Sequence, residues 1–316
     1  MRAPEFWQSR GVLAALLSPL GVLYGASVAF KARHTKPHDP GMPVICVGNL
    51  TAGGSGKTPI AIAIAQALRA RGRKPFFLTR GYGGSERGPV QVARAHGASV
   101  MGDEALLLVR AAPTIVARDR AAGARLAAEK GADVLVMDDG HQNFSLRKTL
   151  SLVVVDAQTG FGNGLMIPAG PLRERVAQGL ARADAVILVG VDNPDLQGFS
   201  GPMLRTHLAV ETNAMARKSV FAFAGIGRPE KFIASLEAGG IDVAGSCFFA
   251  DHHPYTDDEI LHLKAIAGDT MLVTTEKDFV RLSVAQREGI RAVKAVSTFD
   301  DPSALEGLLD RALASV

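Results

Sequence analysis

The sequence predicts an α/β protein with a P-loop NTPase-like, doubly wound parallel sheet, a smaller C-terminal α/β domain and an N-terminal hydrophobic helix. Three observations predict this architecture. A glycine-rich turn ending in Gly-Lys-Thr follows an apolar run, which is the strand–loop–helix order of a phosphate-binding loop. Further apolar runs then alternate with helical patterns along the chain. A run of uncharged residues, 11–30, precedes both features.

Composition limits the classes of partner. The chain has 316 residues, of which 47% are hydrophobic, and therefore enough apolar side chains for a full core. Its net charge of +4 suits an anionic lipid, a phosphorylated substrate or nucleic acid. No nucleic-acid module with interleaved aromatic residues is present, so nucleic acid is not an expected partner. The two cysteines form no zinc spacing or disulfide framework, which is typical of a reducing cytosol.

The uncharged segment 11–30 has two interpretations as a membrane element. About twenty such residues are the minimum for a helix that spans a bilayer, and basic residues flank this segment: Arg2, Arg10, Lys31, Arg33 and Lys36. Pro19, Gly21 and Gly25 weaken a spanning helix, so an amphipathic or partly inserted anchor is equally compatible. The denser basic flank after the segment favours a cytoplasmic location for the rest of the chain.

Two further interpretations place the same segment outside the membrane. Residues 27–29 resemble a signal-peptide cleavage site, but export would separate the phosphate-binding loop from cytosolic ATP. A buried core helix is the other alternative, because length alone does not distinguish a core helix from an anchor. We expect residues 1–36 to form a membrane-associating unit.

The phosphate-binding loop follows the apolar run 44–47. Its glycines let backbone N–H groups curl around phosphate oxygens, and the helix that begins near Thr58 adds its N-terminal dipole. Lys57 is placed to reach the β- and γ-phosphates, and the Thr58 hydroxyl to ligate Mg²⁺. The expected nucleotide-binding residues are Thr51, Ala52, Gly53, Gly54, Ser55, Gly56, Lys57 and Thr58. Thr51 replaces the first glycine of the strict motif, and the alternative is a glycine-rich turn that binds nothing.

The remaining elements follow from hydrophobic periodicity. The expected strands are 76–78, 90–92, 114–116, 134–137, 152–155, 186–189, 220–224, 241–249 and 271–274. Helices are expected to close at Gly72, to begin near Asp103 and near Arg120, and to cover 232–236, 256–266 and 302–313. This alternation indicates parallel strands joined by crossover helices.

Two acidic residues, Asp138 and Asp139, end the buried strand 134–137. An acid at this position downstream of a P-loop is the Walker B residue that holds the Mg²⁺ shell. Either one fits.

Phosphoryl transfer to a hydroxyl needs a group that orients and deprotonates the acceptor. Asp103 is the candidate, with His252 or His253 as its partner. Asp103 also fits a plain helix-dipole residue, and the two histidines fit a polar interdomain loop. Basic residues available to neutralise the transferring phosphate are Arg80, Arg120 and Arg173, each of which taken singly is more typical of a solvated surface.

Seven motifs spread over nearly the whole chain make the sequence similar to one known family. They are Gly53-Gly54-Ser55-Gly56-Lys57-Thr58-Pro59, Arg80-Gly81-Tyr82-Gly83, Gly102-Asp103-Glu104, Asp138-Asp139-Gly140 with Gln142, Pro168-Ala169-Gly170-Pro171-Leu172-Arg173-Glu174, Asp251-His252-His253 and Thr275-Glu276-Lys277-Asp278. The chain thereby resembles the tetraacyldisaccharide 4′-kinases, the lipid A 4′-kinases of Gram-negative bacteria. The Thr51 departure is the form that this family has.

The resemblance implies a lipid kinase at the cytoplasmic face of the bacterial inner membrane. Such an enzyme uses ATP and Mg²⁺ to phosphorylate the 4′-hydroxyl of a tetraacyldisaccharide 1-phosphate, which gives lipid IVA. The implied units are the P-loop kinase domain, 37–213, and the smaller C-terminal domain, 214–316. The implied catalytic residues are Asp103, Lys57, His252, His253 and Arg173; the implied metal ligands are Thr58, Asp138, Asp139 and Glu104; and the implied substrate residues are Tyr82, Arg80, Arg120, Glu174 and Gln142.

Two other classes of protein share the P-loop. A GTPase acting as a metallochaperone or switch is the stronger rival, because Thr275-Glu276-Lys277-Asp278 superficially resembles a guanine-reading motif. Its Lys and Asp are adjacent, and that spacing does not present both to a base. A membrane-bound nucleotide sensor without chemistry is the third class, and it needs no acceptor base at Asp103.

Overall fold

The computed structural model describes residues 4–212 and 219–315. The predicted domain boundary at 213/214 and the flanking Arg2 lie outside the described residues. The division into 1–36, 37–213 and 214–316 stays a prediction.

Thirteen strands are assigned within the described residues. They are β1 Val44–Gly48, β2 Pro75–Thr79, β3 Val90–Gln91, β4 Thr114–Val116, β5 Val134–Asp138, β6 Leu150–Asp156, β7 Ala185–Val189, β8 Met203–Val210, β9 Ser219–Ala224, β10 Asp242–Phe248, β11 Met271–Thr275, β12 Ile290–Val293 and β13 Ala295–Phe299.

The same part of the chain forms ten α-helices and a short 3₁₀ helix at Glu5–Gln8. The α-helices are α1 Val12–His34, α2 Lys57–Ala70, α3 Ala98–Met101, α4 Asp103–Ala111, α5 Arg120–Glu129, α6 Val176–Leu180, α7 Pro229–Ala238, α8 Asp257–Ala267, α9 Glu276–Phe279 and α10 Pro302–Ala314. A capping box formed by Thr256 and Glu259 opens α8, the helix predicted over 256–266.

The strands form two sheets. The larger has nine strands in the order β13-β8-β7-β6-β1-β5-β2-β4-β3 and is parallel except for the pairs at its two ends. The smaller has four parallel strands in the order β10-β9-β11-β12. The predicted α/β class with a doubly wound parallel sheet is confirmed. Strand β1 lies between β5 and β6, so the phosphate-binding loop leaves the sheet where the strand order reverses, the position at which open α/β sheets bind ligands.

Both faces of the larger sheet are covered by helices. Ile60, Ile64 and Leu68 of α2 are fully buried on one face, at the four-residue spacing that the sequence shows. Ala124 and Ala127 of α5 are buried on the other face. Because helices cover both faces of the sheet, the sequences of the central strands are continuous apolar runs and do not alternate with polar residues.

The end of the chain returns to the larger sheet. Strand β13 pairs antiparallel with β8, and α10 packs Leu305, Leu308 and Leu309 into the same core as α2. Residues 295–314 therefore lie with the larger sheet, although they fall inside the unit predicted to be C-terminal. Strands β8, β12 and β13 were not predicted. In β8 buried residues are interleaved with partly exposed ones, so it lacks the continuous apolar run of the central strands.

Helix α1 lies mostly outside the core. An 18-residue window has mean hydropathy 1.9, enough by length and composition to cross a membrane, yet only 11% of that window is buried. The buried positions are small: Ala14, Gly21 and Gly25. A Cβ at Gly21 would lie 2.7 Å from the Met166 carbonyl oxygen, so α1 docks through a face without side chains. A helix this exposed is not a core helix.

Packing of α10 on the larger sheet predicts a large stability cost for truncating its buried face. Leu309→Ala should lower the free energy of unfolding by about 2–5 kcal/mol, because a fully buried leucine leaves a cavity. Val284→Ala is the control, since Val284 is 85% exposed and should change stability by about 0.5 kcal/mol or less. Chemical denaturation measures both, and equal effects would contradict the packing.

Candidate active site

The phosphate-binding loop is held open by side-chain hydrogen bonds. Gly56 has φ +82°, a left-handed conformation that favours glycine, and it precedes the first residue of α2. The buried Asn49 amide donates to the Thr51 carbonyl oxygen at 2.7 Å and to Ser55 Oγ at 3.0 Å. All eight predicted loop residues, 51–58, therefore lie in a single turn between β1 and the start of α2. Asn49 has a fixing role that the sequence did not assign to it.

Thr58 and the first of the two strand-end acids are in contact. Thr58 Oγ1 donates to Asp138 Oδ2 at 2.9 Å, and Asp138 is buried. Burial, followed by the charge of neighbouring Glu104, raises the pKa of Asp138. Among the described residues its Oδ1 has no hydrogen-bond partner.

The second acid holds two cations. Asp139 accepts from Arg173 Nη1 at 2.7 and 2.8 Å, and Lys57 Nζ lies 3.5 Å from its Oδ1. Burial acts to raise the pKa of Asp139, but the charges of Lys57 and Arg173 outweigh burial and hold it well below its usual range. The two adjacent acids are therefore in opposite electrostatic situations.

The donor set beside the loop fits Mg²⁺. The described residues contain no group of three or more His, Cys, Asp or Glu side chains arranged for a metal ion. A P-loop does not need one, because Mg²⁺ there is bound by a hydroxyl, one or two carboxylates, phosphate oxygens and water. The unpartnered Asp138 Oδ1 beside Thr58 supplies an oxygen ligand of that kind.

The Pro-Gly loop, residues 167–174, carries Arg173 and is held by hydrogen bonds at two of its residues. The Arg173 amide donates to the Leu50 carbonyl oxygen at 2.8 Å, which ties this loop to the end of β1. Glu174 is buried and accepts from Gln142 Nε2 at 2.9 Å and from Arg182 at 2.6 Å. Glu174 and Gln142, both predicted to contact substrate, are thus bonded to each other beneath the loop.

Asp103 and His252 meet although they are 149 positions apart. His252 Nδ1 donates to Asp103 Oδ2 at 2.9 Å, and the buried Arg281 donates to the same oxygen from Nε at 2.8 Å and Nη2 at 2.6 Å. Burial acts to raise the pKa of Asp103, but the His252 hydrogen bond and the Arg281 charge outweigh it and hold that pKa well below its ordinary value. The carboxylate is therefore ionised at neutral pH.

The second histidine has a different environment. His253 Nε2 lies 3.0 Å from both carboxylate oxygens of Glu259, and its ring stacks on Phe249 with centroids 4.8 Å apart. Of the two candidates, His252 is the partner of Asp103.

A second glycine-rich turn, residues 81–84, brings Tyr82 close to Asp103 and His252. Gly102 has φ +84°, and a Cβ there would lie 2.3 Å from the Tyr82 carbonyl oxygen, so the turn can approach Asp103 only over a glycine. The Tyr82 side chain is 66% exposed, and its ring centroid lies 5.9 Å from that of His252.

The two arginines near this turn differ in exposure. Arg80 is exposed, whereas Arg120 is buried and donates from Nη1 to the Ala117 carbonyl oxygen. Burial, followed by the charge of Arg80, lowers the pKa of Arg120 to about 10.

Two side chains that contact the site, Arg281 and Arg228, were not predicted from the sequence. Arg281 lies three residues after the motif ending in Asp278 and bonds both Asp278 and Asp103. Arg228 reaches from the smaller sheet to the Gly54 carbonyl oxygen at 3.0 Å. The only sequence signal for Arg281 is its helical spacing from Asp278; nothing local marks Arg228, because its partner is 174 residues away.

The shared cation predicts a pH-dependent loss of stability in Arg281→Met. Asp103 and Asp278 would lose a buried partner, which should cost about 3–5 kcal/mol of unfolding free energy at pH 7. In the wild type the lowered Asp103 pKa contributes stability above its unfolded value, and this contribution is lost as the pH falls through the folded value. The gap between wild type and variant should therefore stay constant down to about pH 4, near the ordinary carboxyl pKa, and narrow as the pH falls further.

Denaturation at several pH values measures this gap. Arg291→Met is the matched control, because Arg291 is exposed on β12 and should show little change at any pH. A gap that is independent of pH would mean that Arg281 contributes packing alone.

Comparisons with known proteins show which family the chain belongs to. The family model of tetraacyldisaccharide-1-P 4′-kinase, LpxK, matches residues 13–314. The tetraacyldisaccharide 4′-kinase of Rhodospirillum rubrum is 49% identical over 323 residues, and that of Paramagnetospirillum magneticum is 48% identical over 320, each alignment covering 98% of both chains. The crystal structure of LpxK from Aquifex aeolicus in complex with ATP superposes with a TM-score of 0.79 at 25% identity, covering 96% of this chain and 100% of that one. The chain belongs to the tetraacyldisaccharide-1-P 4′-kinase family.

Proposed function

We propose that this protein transfers the γ-phosphate of ATP to the 4′-hydroxyl of a tetraacyldisaccharide 1-phosphate, which forms lipid IVA. The contact between Asp103 and His252 carries the proposal, because a nucleotide switch or sensor has no need of a carboxylate–histidine pair beside its P-loop domain. Family membership over nearly the full length supports the identity of the acceptor.

The nucleotide half of the site contains two cations that could bind phosphate. Lys57 and Arg173 are both held by Asp139, and incoming phosphate oxygens would compete with that carboxylate for them. Thr58 and Asp138 would hold Mg²⁺, with Glu104 and Asp139 nearby. When bound, the ion neutralises charge on the phosphates.

In the acceptor half, the side-chain hydrogen bonds that the described residues make to Asp103 fall on one carboxylate oxygen. Asp103 Oδ2 receives all three hydrogen bonds from His252 and Arg281, whereas Oδ1 lies towards Gly83 of the glycine-rich turn. An ionised Asp103 can accept the hydrogen bond of the acceptor hydroxyl through Oδ1 and take its proton as the hydroxyl oxygen bonds to the γ-phosphorus, while the bond from that phosphorus to the bridging oxygen breaks and ADP leaves. Tyr82, exposed beside His252, would contact the sugar.

The GTPase alternative has no support in the geometry. Asp278, which would have to read the base, is fully buried and accepts hydrogen bonds from Gly225, Tyr255 and Arg281. Lys277 lies 3.4 Å from Glu104. Neither side chain is free to bind guanine.

Three single variants and one double variant test the proposed chemistry in a lipid phosphorylation assay. Asp103→Asn should reduce turnover by about 10²–10⁴-fold, because an amide cannot take the proton. His252→Gln should also reduce turnover, and the double variant should be little worse than the worse single one. His253→Gln is the matched control and should stay within about threefold of wild type, since its ring pairs with Glu259.

ATP affinity should change little in all three variants, which separates loss of chemistry from loss of binding. Full activity of Asp103→Asn would contradict the acceptor site, and multiplicative losses in the double variant would contradict a coupled pair.

We also propose that α1 lies on the cytoplasmic face of the inner membrane. Its exposed face is apolar, with Leu16, Leu20 and Leu23 at 72%, 54% and 67% exposure. Gly21 and Gly25, near the middle of the helix, pack on Met166, so the helix midpoint stays against the folded chain. Because its midpoint packs on the folded chain, we place the helix at the membrane surface rather than across the bilayer. The basic residues that follow it favour the cytoplasmic side.

Removing the exposed leucines should release the protein from lipid. The triple variant Leu16→Gln, Leu20→Gln and Leu23→Gln should lower binding to anionic phospholipid vesicles by about 100-fold or more, because three apolar side chains no longer enter the bilayer. The control triple, Leu261→Gln, Ile266→Gln and Val284→Gln, removes equally exposed apolar side chains elsewhere and should bind like wild type. Vesicle flotation distinguishes them, and equal binding of both triples would sink the proposal.

A further inference from the structure

Arg228 crosses from the smaller sheet to the phosphate-binding loop. It lies between β9 and α7, and its Nη2 donates to the Gly54 carbonyl oxygen at 3.0 Å. The same Nη2 lies 2.8 Å from Asp156 Oδ2 at the end of β6. Lys231, one helical turn later, reaches that carboxylate oxygen at 2.9 Å without touching the loop.

The other terminal nitrogen of Arg228 is buried and unused. Its Nη1 has no hydrogen-bond acceptor within the parts of the chain that the structure describes. A buried N–H donor without an acceptor costs free energy, and the cost is greater for a charged group. Asp156 Oδ2 is shared by the two cations Arg228 and Lys231. An anionic oxygen beside the loop would accept from the unused Nη1 donor.

We infer that Arg228 is a further nucleotide-binding residue, whose Nη1 donates to a phosphate oxygen of the nucleotide held by the loop. The inference rests on the proposed ATP site. The turn that carries Arg228 also contacts the acceptor site. Its Gly225 carbonyl oxygen accepts from the His252 amide at 3.1 Å and from Arg281 at 2.8 Å. One turn of the smaller sheet therefore contacts both the nucleotide loop and the groups that hold Asp103.

A purely supporting role for Arg228 makes a different prediction. If Arg228 only braced the loop between Gly54 and Asp156, removal of either side chain would weaken nucleotide binding alike. If Arg228 binds phosphate, loss of the Asp156 charge removes a competing anion, and nucleotide binding should be kept or strengthened. Asp156→Asn separates the two roles.

Titration calorimetry of the full-length protein with MgATP provides the test. Arg228→Ala should raise the dissociation constant by about 10- to 100-fold, the expected loss for one charge-assisted hydrogen bond. Lys231→Ala is the matched control and should change it by about twofold or less. Asp156→Asn should bind at least as tightly as wild type. Arg228→Gln, which keeps donors but no charge, replaces the alanine variant if that variant does not fold.

The outcomes are distinct. Wild-type protein that fails to bind MgATP would contradict the proposed function itself. Tight wild-type binding with no loss in Arg228→Ala or Arg228→Gln would overturn only the role of Arg228. Equal weakening in Arg228→Ala and Asp156→Asn would overturn the phosphate contact, because it would reduce Arg228 to a brace of the loop.

Discussion

The buried carboxylate of Asp103 is the interaction on which the acceptor site depends. An ionised carboxylate that is removed from water is costly unless cations or hydrogen-bond donors surround it. Its donors, His252 and Arg281, both come from the part of the chain that forms the smaller sheet. The acceptor site is therefore complete only when that sheet packs against α4. The proposed base and the packing of the two sheets share one set of contacts.

A similar dependence holds on the nucleotide side. Asp138 and Asp139 are adjacent in sequence but have different partners. Asp139, with φ +56°, directs its carboxylate towards Lys57 and Arg173, whereas Asp138 bonds Thr58. One acid thereby holds the cations that phosphate needs, and the other offers an oxygen to a metal ion. The two carboxylates have different partners because Asp139 takes a left-handed backbone conformation at the end of the strand.

The N-terminal helix is joined to the same site through the Pro-Gly loop. Trp7 Nε1 donates to the Pro168 carbonyl oxygen at 3.0 Å, and Asn163 donates to backbone carbonyls on both sides of that junction. Arg173 lies at the other end of this loop. Residues 166–173 thus connect the contact with the exposed apolar helix to Arg173, which suits an enzyme whose acceptor is a lipid.

The sequence by itself determined the central strands, the phosphate-binding loop and most helices, because these depend on local periodicity, glycine chemistry and caps. It also identified Asp103 as the candidate base and the strand-end acids as candidate metal ligands. Only the tertiary structure decided that His252 and not His253 meets Asp103, that Arg281 bonds Asp103 and Arg228 contacts the phosphate-binding loop, and that β13 and α10 return to the larger sheet. Each of these contacts joins residues far apart in the chain, and no local pattern encodes such a pairing. The sequence also did not determine whether α1 is exposed, since the same apolar residues suit a core helix or a membrane surface until their neighbours are known.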